Sequence, residues 1–364
     1  MWYGQLGFQS VVWTQLGVKI GLWVAYALLM ALTGFVSAWL AIRARPDSAD
    51  GSTIRINGDV VEVGKSVSSK TARRVAVVIS LIVGVIFGSQ FNANWSEILL
   101  MFNAQSFGTT DPQFGLDNGF YVFVLPGLKL VLAAVAMLLG VGLVFSVVTH
   151  VLMGGIRITM PVNGRGLFSI TKRCRRQLGI WLMLNMFAWA ARQMIGVFDQ
   201  LTVQGSRITG ASYTAVHANI PVTFIMAALT AILGVVLGIW LMRSHTLEGQ
   251  ASIGVRASAA LKAWRVPVTS IAVVVVVGLV LTVAWPVLLQ RFRVNPNAQE
   301  MESTYIQRNI DATRAAYGLD KLKTEQYKVT DKGVQGALAK EGDTTAQIRL
   351  LDPQVVSPTF KQLQ

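Results

Sequence analysis

The stretch that decides the fold runs from Ile220 to Met242, IPVTFIMAALTAILGVVLGIWLM, and contains no charged residue. A helix of about 20 predominantly apolar residues is long enough to cross the roughly 30 Å hydrocarbon core of a bilayer. Four other stretches are equally free of charge, and a sixth is interrupted only by Arg192. The predicted spans are Ile20 to Ile42, Val75 to Phe91, Leu130 to His150, Leu178 to Phe198, Ile220 to Met242 and Val266 to Gln290. The sequence therefore predicts a polytopic membrane protein.

The overall composition agrees with this class. Of the 364 residues, 53% are apolar and only 14% are charged, whereas about a quarter of the residues in a soluble domain are charged. The single cysteine excludes an intrachain disulfide. The net charge of +14 does not predict nucleic-acid binding, because the basic residues flank the spans. There they set orientation and contact anionic lipid headgroups, so the expected partner is the lipid bilayer and not nucleic acid.

The distribution of lysine and arginine predicts the orientation. The loops after the first, third and fifth spans contain seven, six and four basic residues, whereas the other two loops contain one each, Lys129 and Arg207. Basic loops stay in the cytoplasm, so the N-terminus and the segment after Gln290 are expected outside. Three basic residues flank the predicted outer ends of spans and disagree with this assignment: Lys19, Arg291 and Arg293. The larger bias of the loops outweighs them. The predicted fold class is an all-α membrane protein of six transmembrane helices in the cell membrane.

Small residues spaced four apart predict that these helices pack closely. Gly234 and Gly238 form one such pair, and Ser80, Gly84 and Gly88 repeat the spacing in the second span. Small side chains let two helix backbones approach each other in lipid. We therefore expect a packed bundle.

Two domains are expected, a transmembrane domain at 1–290 and the start of an extracytoplasmic domain at 291–364. The second is polar and is expected to contain a helix from Thr304 to Tyr317, a stretch rich in helix formers without Gly or Pro. A segment this short and polar buries little apolar surface by itself. We therefore expect it to pack against another surface.

Two smaller elements are predicted in the loops. Alternating apolar residues on both sides of Asn57-Gly58 indicate a β-hairpin formed by Thr53 to Ile56 and Asp59 to Val63. A short amphipathic helix is expected from Trp95 to Met101, lying flat at the membrane interface.

Arg192 is the one charged residue inside a predicted span, with Asn185 about two turns deeper. Charges in the membrane are costly and often mark function, so these two residues are candidates for contacting an anion or a lipid headgroup in a cavity. Alternatively, Arg192 extends to the interface or pairs with Asp199. The predicted spans contain no Asp or Glu, which argues against a proton- or sodium-coupled carrier.

The outer loops supply three more candidate functional residues: Asp111, Asp117 and Tyr213. Asp-Pro and Asp-Asn-Gly mark turns around the two aspartates, and two carboxylates in one loop are only weak evidence for a bound cation. Ser212, before Tyr213, lacks an evident partner base and is interpreted as part of a turn. We therefore predict no catalytic residue, no metal site and no cofactor, and the chain is not expected to be an enzyme.

Four segments resemble a known family. They are FGTTDPQFGLDNGFYVFVLPGLK from Phe107, GASYTAVHANIP from Gly210, EMESTYIQRNIDATRAAYGLD from Glu300 and IRLLDPQVVSPTFKQLQ from Ile348. They resemble the bacterial multi-pass membrane proteins of uncharacterised protein family 0182. The resemblance implies about seven N-terminal spans followed by a large extracytoplasmic region. By comparison, this chain is expected to lack the first helix and most of the outer domain, as a fragment, a truncated gene product or a mis-assigned start.

Three functions are compatible with these observations. The first is a membrane platform that presents an extracytoplasmic domain for cell-envelope assembly or for binding an envelope protein partner. The second is a transporter or channel for an anion or a lipid that uses Arg192. The third is an envelope enzyme whose site belongs to the missing outer region. The resemblance carries over no activity that would choose among them.

Overall fold

The computed structural model describes residues 5–44, 52–56, 59–63, 68–158, 168–203, 209–244 and 253–323, with isolated residues beyond. Arg207, one of the two basic residues of the outer loops, lies outside this part of the chain. The chain divides into two compact units, Met1–Asp311 and Ala312–Gln364. The predicted domain boundary at residue 290 stays a prediction.

The described chain is mainly helical. Its α-helices are α1 Gln9–Arg43, α2 Ser69–Asn92, α3 Trp95–Phe102, α4 Leu125–Leu152, α5 Lys172–Gly196, α6 Ile220–Arg243, α7 Ile253–Leu279, α8 Trp285–Leu288 and α9 Ala298–Ala316. Wider π-helical turns precede α4 at Phe120–Val124 and α6 at Ala215–Asn219, and two more flank α8 at Val280–Ala284 and Leu289–Val294. A 3-10 turn at Val197–Leu201 follows α5.

Five helical segments in the described residues are long and apolar enough to cross a membrane. They are Gln9–Arg43, Ser69–Ser89, Phe120–Leu152, Ala215–Arg243 and Trp264–Val294. The predicted span from Leu178 to Phe198 is helical over most of its length, in α5, but it is not among the five. Its polar residues Asn185, Arg192 and Gln193 lower its mean hydropathy. The apolar helices of a membrane protein are therefore present, and the count of six spans stays a prediction.

Two predicted spans start later than the helices that contain them. The third span was predicted to start at Leu130, after Pro126, yet α4 begins at Leu125. Proline fits the first turn of a helix because its missing N–H has no intrahelical partner there. The last span was predicted from Val266, close to the start of the apolar segment Trp264–Val294, while α7 itself begins at Ile253.

Glycines provide the close contacts between helices that their spacing predicted. A methyl group added at Gly84 of α2 would lie 2.5 Å from the carbonyl oxygen of Ala27 in α1. On α6, a methyl group at Gly238 would lie 3.0 Å from the carbonyl oxygen of Gly179 in α5. The pairs α1–α2 and α5–α6 are consequently the most extensive in the bundle, and α4 lies against both α1 and α5.

Two short antiparallel hairpins lie in the loops. The predicted hairpin is confirmed as β1, Ser52–Ile56, paired with β2, Asp59–Val63, while Asn57 and Gly58 lie outside the described residues. A second hairpin, β3 Ile156–Ile158 with β4 Phe168–Ile170, was not predicted. Its strands are three residues long, too short for a clear alternation of apolar and polar residues.

Two other predicted helices are also present, one in a loop and one in the segment after the last span. The short helix expected from Trp95 is α3. The helix expected from Thr304 to Tyr317 is α9, which begins earlier, at Ala298.

Candidate functional site

The loops at one end of the bundle pack into a single surface. We call it the loop cap and define it as residues 103–119, 197–203 and 209–219. Under the predicted orientation this is the outer end. It contains three of the candidate residues, Asp111, Asp117 and Tyr213.

Asp111 is a buried hydrogen-bond acceptor that folds its own loop. Its carboxylate accepts hydrogen bonds from the backbone N–H groups of Gln113, Phe114 and Leu116 at 2.8, 2.6 and 3.0 Å. The hydroxyl of Tyr121 donates a fourth at 2.8 Å. Burial raises the pKa of Asp111, but these four donors outweigh it, so its pKa lies below the ordinary value.

Asp117 has the same role in the neighbouring turn. It accepts hydrogen bonds from the Ser106 hydroxyl at 2.5 Å and from the backbone N–H groups of Phe107, Gly108 and Gly119 at 3.0, 3.0 and 2.7 Å. The Ser106 hydroxyl and the Phe107 amide are the main causes that lower the pKa of Asp117 to about 2. All four of these donors belong to residues adjoining the turn that contains Asp117, so the exposed carboxylate stabilises its own turn.

The two aspartates are not brought together with further metal-ligating groups. Within the described residues, no three His, Cys, Asp or Glu side chains lie close enough to hold a metal ion. That the chain has no metal site stays a prediction, and the contacts observed for both carboxylates are those of turn-forming acceptors.

An aromatic cluster joins two loops of the cap. The ring of Phe198 meets those of Phe114, Phe120 and Tyr121 edge to face, with centroids 5.0, 5.3 and 6.4 Å apart. Such edge-to-face pairs add to the stabilisation from burial. The loop at 103–119 is therefore attached to the turn that follows α5.

Tyr213 is the point at which α9 docks on the cap. Its backbone N–H donates to the carboxylate of Glu302 at 3.0 Å, and Glu302 is only 8% exposed. The Tyr213 ring stacks on His217 with a centroid distance of 4.0 Å and meets Tyr305 edge-on at 6.3 Å. The guanidinium of Arg293 lies 5.9 Å from the same ring, within the range of a cation–π contact.

Further hydrogen bonds hold the segment after α8 against the cap. They join Asn309 to the Thr209 carbonyl at 2.8 Å, Arg308 to the Gln113 side chain at 3.4 Å, and the Thr214 hydroxyl to the Gln290 side chain at 2.5 Å. Two different loops, 103–119 and 209–219, thus contact this segment.

A second feature is a cleft of about 700 Å³ between α4 and α5. The helices meet near their middle, where the Asn185 amide donates to the Leu139 carbonyl at 3.1 Å. At the cap end Lys129 and Asp199 form a salt bridge of 2.8 Å across the cleft. The lining residues are Lys129, Leu132, Ala136, Leu143, Leu182, Asn185, Met186, Trp189, Arg192, Gln193, Gly196 and Asp199.

Arg192 and Asn185, the candidates within the predicted spans, both line this cleft. The pairing of Arg192 with Asp199 is not formed, because Lys129 reaches across from α4 and binds both carboxylate oxygens, at 2.8 and 2.9 Å. Arg192 is exposed, and within the described residues no ion pair or hydrogen bond holds its guanidinium. Its charge is therefore directed to the cleft without a protein counter-ion.

A polar network that was not predicted from the sequence lies at the opposite end of the bundle. The His150 ring lies 3.0 Å from the Gln177 side chain, which donates to the Ser37 carbonyl at 2.8 Å. Arg175, counted from sequence as a loop residue facing lipid headgroups, is completely buried. One signal was available, since Arg175 lies one turn before Gly179 and hence on the helix face that packs against α6.

Comparison with known proteins identifies the family. The model of Uncharacterised protein family (UPF0182) matches residues 1–364, the whole chain. The chain belongs to this family. This match covers the whole chain. The expectation that a first helix is missing stays unconfirmed.

Relatives of this UPF0182 member occur in several bacteria. A UPF0182 protein of Bifidobacterium adolescentis is 78% identical over 364 residues, which are 100% of this chain and 34% of the relative. Relatives from Kocuria rhizophila and Corynebacterium diphtheriae are 36% and 33% identical over the whole chain, covering 34% and 35% of their lengths. The chain thus spans about a third of the length of the relatives it matches. No solved structure matches it.

Proposed function

We propose that this UPF0182 chain is a multi-pass cell-membrane protein that serves as a platform for an extracytoplasmic segment. In this proposal six helices span the membrane, with α5 as the fourth, and the N-terminus and residues 291–364 lie outside. The distribution of Lys and Arg supports this orientation, because loops rich in basic residues stay in the cytoplasm. The loop cap then lies on the outer side. The platform would take part in cell-envelope assembly or bind an envelope protein partner.

The observation that carries the platform role is the docking of α9 through Glu302. A carboxylate that is 8% exposed is stable when it is hydrogen-bonded, and here it accepts the Tyr213 N–H at 3.0 Å. The chain that follows the last apolar helix is therefore attached to loops between earlier helices. A flexible tether would not need such a contact, whereas a platform requires a defined attachment.

Limited proteolysis of the purified, detergent-solubilised chain tests this docking. Glu302→Ala leaves the Tyr213 N–H without its acceptor, and losing a charged hydrogen bond costs about 1.5–3 kcal/mol. We expect trypsin cleavage at Arg308 to be at least about 10-fold faster than in the wild type, since local opening controls access. Glu300→Ala, at an exposed position of the same helix, is the matched control. Equal cleavage of the two variants would contradict the proposal.

Photo-crosslinking in cells tests the binding of a partner. A photoreactive residue in place of Phe107, which is 51% exposed on the loop cap, should form an adduct with a protein of the envelope. The same residue in place of Leu152, which is 68% exposed near the opposite end of α4, should react with lipid only. An absence of protein adducts at position 107 would remove the support for a platform.

Transport of an anion or a lipid is a second candidate, favoured by the position of Arg192 in the cleft. A carrier that depends on this charge should lose flux in reconstituted vesicles when Arg192 is replaced by Ala. A platform should tolerate the same change, so the two functions predict opposite results.

A further inference from the structure

We propose that the cleft between α4 and α5 binds one anionic phospholipid, with its phosphate on Arg192 and one acyl chain along the apolar part of the cleft. This inference does not rest on the platform role, because it concerns a different surface of the bundle.

The charges in the cleft leave one positive group for a ligand. Lys129 is neutralised by Asp199, whose two oxygens it contacts at 2.8 and 2.9 Å. Arg192 lines the same cleft and has no ion pair in the part of the chain that the structure describes. A guanidinium binds a phosphate through two parallel N–H donors. One arginine without a described counter-ion therefore matches the net single negative charge of an anionic phospholipid such as phosphatidylglycerol.

The depth of the cleft matches an acyl chain. Leu182 is ten residues from Arg192 along α5, which at 1.5 Å per residue corresponds to about 15 Å. This is about half of the roughly 30 Å hydrocarbon core, the depth of one leaflet. On α4 the lining residues Leu132, Ala136 and Leu143 continue the apolar surface over a similar distance.

The cleft opens on the side of the bundle, where lipid has access. Trp189, one turn from Arg192, lines the cleft and is 59% exposed. The side-chain N–H donors of Asn185 are directed to the carbonyl oxygens of Leu139 and Trp181 at 3.1 and 2.8 Å. The deeper wall thus presents mainly apolar atoms. A free anion would leave this wall uncovered, whereas a phospholipid covers the apolar wall and neutralises the arginine.

Thermal unfolding of the detergent-solubilised chain, titrated with short-chain phosphatidylglycerol, tests the proposal. A ligand that binds the folded state raises the melting temperature. We expect phosphatidylglycerol to stabilise the wild type and its apparent affinity to fall at least about 10-fold in Arg192→Gln, which removes a charge-assisted contact. Arg291→Gln is the matched control, since Arg291 is an exposed arginine outside the cleft, and it should bind as the wild type does.

A second variant tests the acyl chain separately. Ala136→Phe fills the apolar part of the cleft and leaves Arg192 in place, so it should also weaken phosphatidylglycerol binding about 10-fold or more. Equal stabilisation of the wild type and Arg192→Gln would overturn the proposal. So would equal affinity for zwitterionic phosphatidylcholine. Stabilisation by glycerol phosphate at the same concentration would assign the site to free anions and overturn the lipid assignment.

Discussion

At the scale of single residues, the acidic side chains of the loop cap and of α9 act as acceptors with defined partners. Asp111 and Asp117 accept backbone N–H groups of their own turns, Asp199 binds Lys129 across the cleft, and Glu302 accepts the Tyr213 amide. Charge-assisted hydrogen bonds are stronger than neutral ones. A few carboxylates therefore hold together loops that are distant in sequence.

The pKa of Asp117 makes the stability of the cap dependent on acid. Its folded pKa is about 2, below the ordinary value of 3.8. The carboxylate therefore contributes fully above pH 3.8, and this contribution is lost as the pH falls through about 2. Asp117→Asn should lower the melting temperature at neutral pH, and the difference from the wild type should shrink between pH 4 and pH 2. A difference that stays constant over this range would contradict the assignment.

The sequence singled out candidate residues but not their partners. Arg192 and Asn185 were identified because charged and polar residues are unusual within an apolar span. Their contacts depend on which way each helix is rotated, and hydropathy along one helix does not report that rotation. For this reason Lys129, rather than Arg192, turned out to be the partner of Asp199.

At the scale of elements, the helices follow directly from hydropathy and their contacts follow from glycine. Apolar runs of about 20 residues have no other stable conformation in lipid, because every backbone group must be hydrogen-bonded within the segment. Helix ends were harder to predict, since Pro126 is favourable at a helix start and was interpreted as a boundary.

Gly84 tests the contact between α1 and α2. An added methyl group would lie 2.5 Å from the Ala27 carbonyl oxygen, so Gly84→Ala forces the helices apart. We expect a loss of about 1–3 kcal/mol in the free energy of unfolding, measured by SDS titration in mixed micelles. Gly17→Ala in α1 is the control, because nothing lies within 4 Å of its added methyl group. Equal destabilisation by the two changes would rule out a specific contact at Gly84.

At the scale of the whole molecule, the two ends of the bundle are built differently. The cap end has loops joined by aromatic and carboxylate contacts, whereas the other end buries Arg175 and His150 within the helices. The loops adjoining that other end also carry most of the basic residues. This asymmetry is the basis of the proposed orientation.

Cysteine labelling in intact cells tests the orientation. In a Cys174→Ala background, Thr304→Cys and Lys70→Cys each provide one exposed thiol. A membrane-impermeant maleimide should label position 304 in intact cells and position 70 only after permeabilisation. The reverse pattern would invert the topology and place the loop cap in the cytoplasm.

The amino-acid sequence by itself determined the membrane class, the positions of the apolar helices and the family, because long apolar runs and long motifs are local properties of the chain. The tertiary structure alone decided that α9 docks on the loop cap through Glu302, that Arg192 faces a cleft where no described residue is its counter-ion, and that Arg175 is buried. These features depend on side chains brought together from distant helices and loops. Such contacts arise only when the helices pack, since packing sets the rotation and depth of each helix.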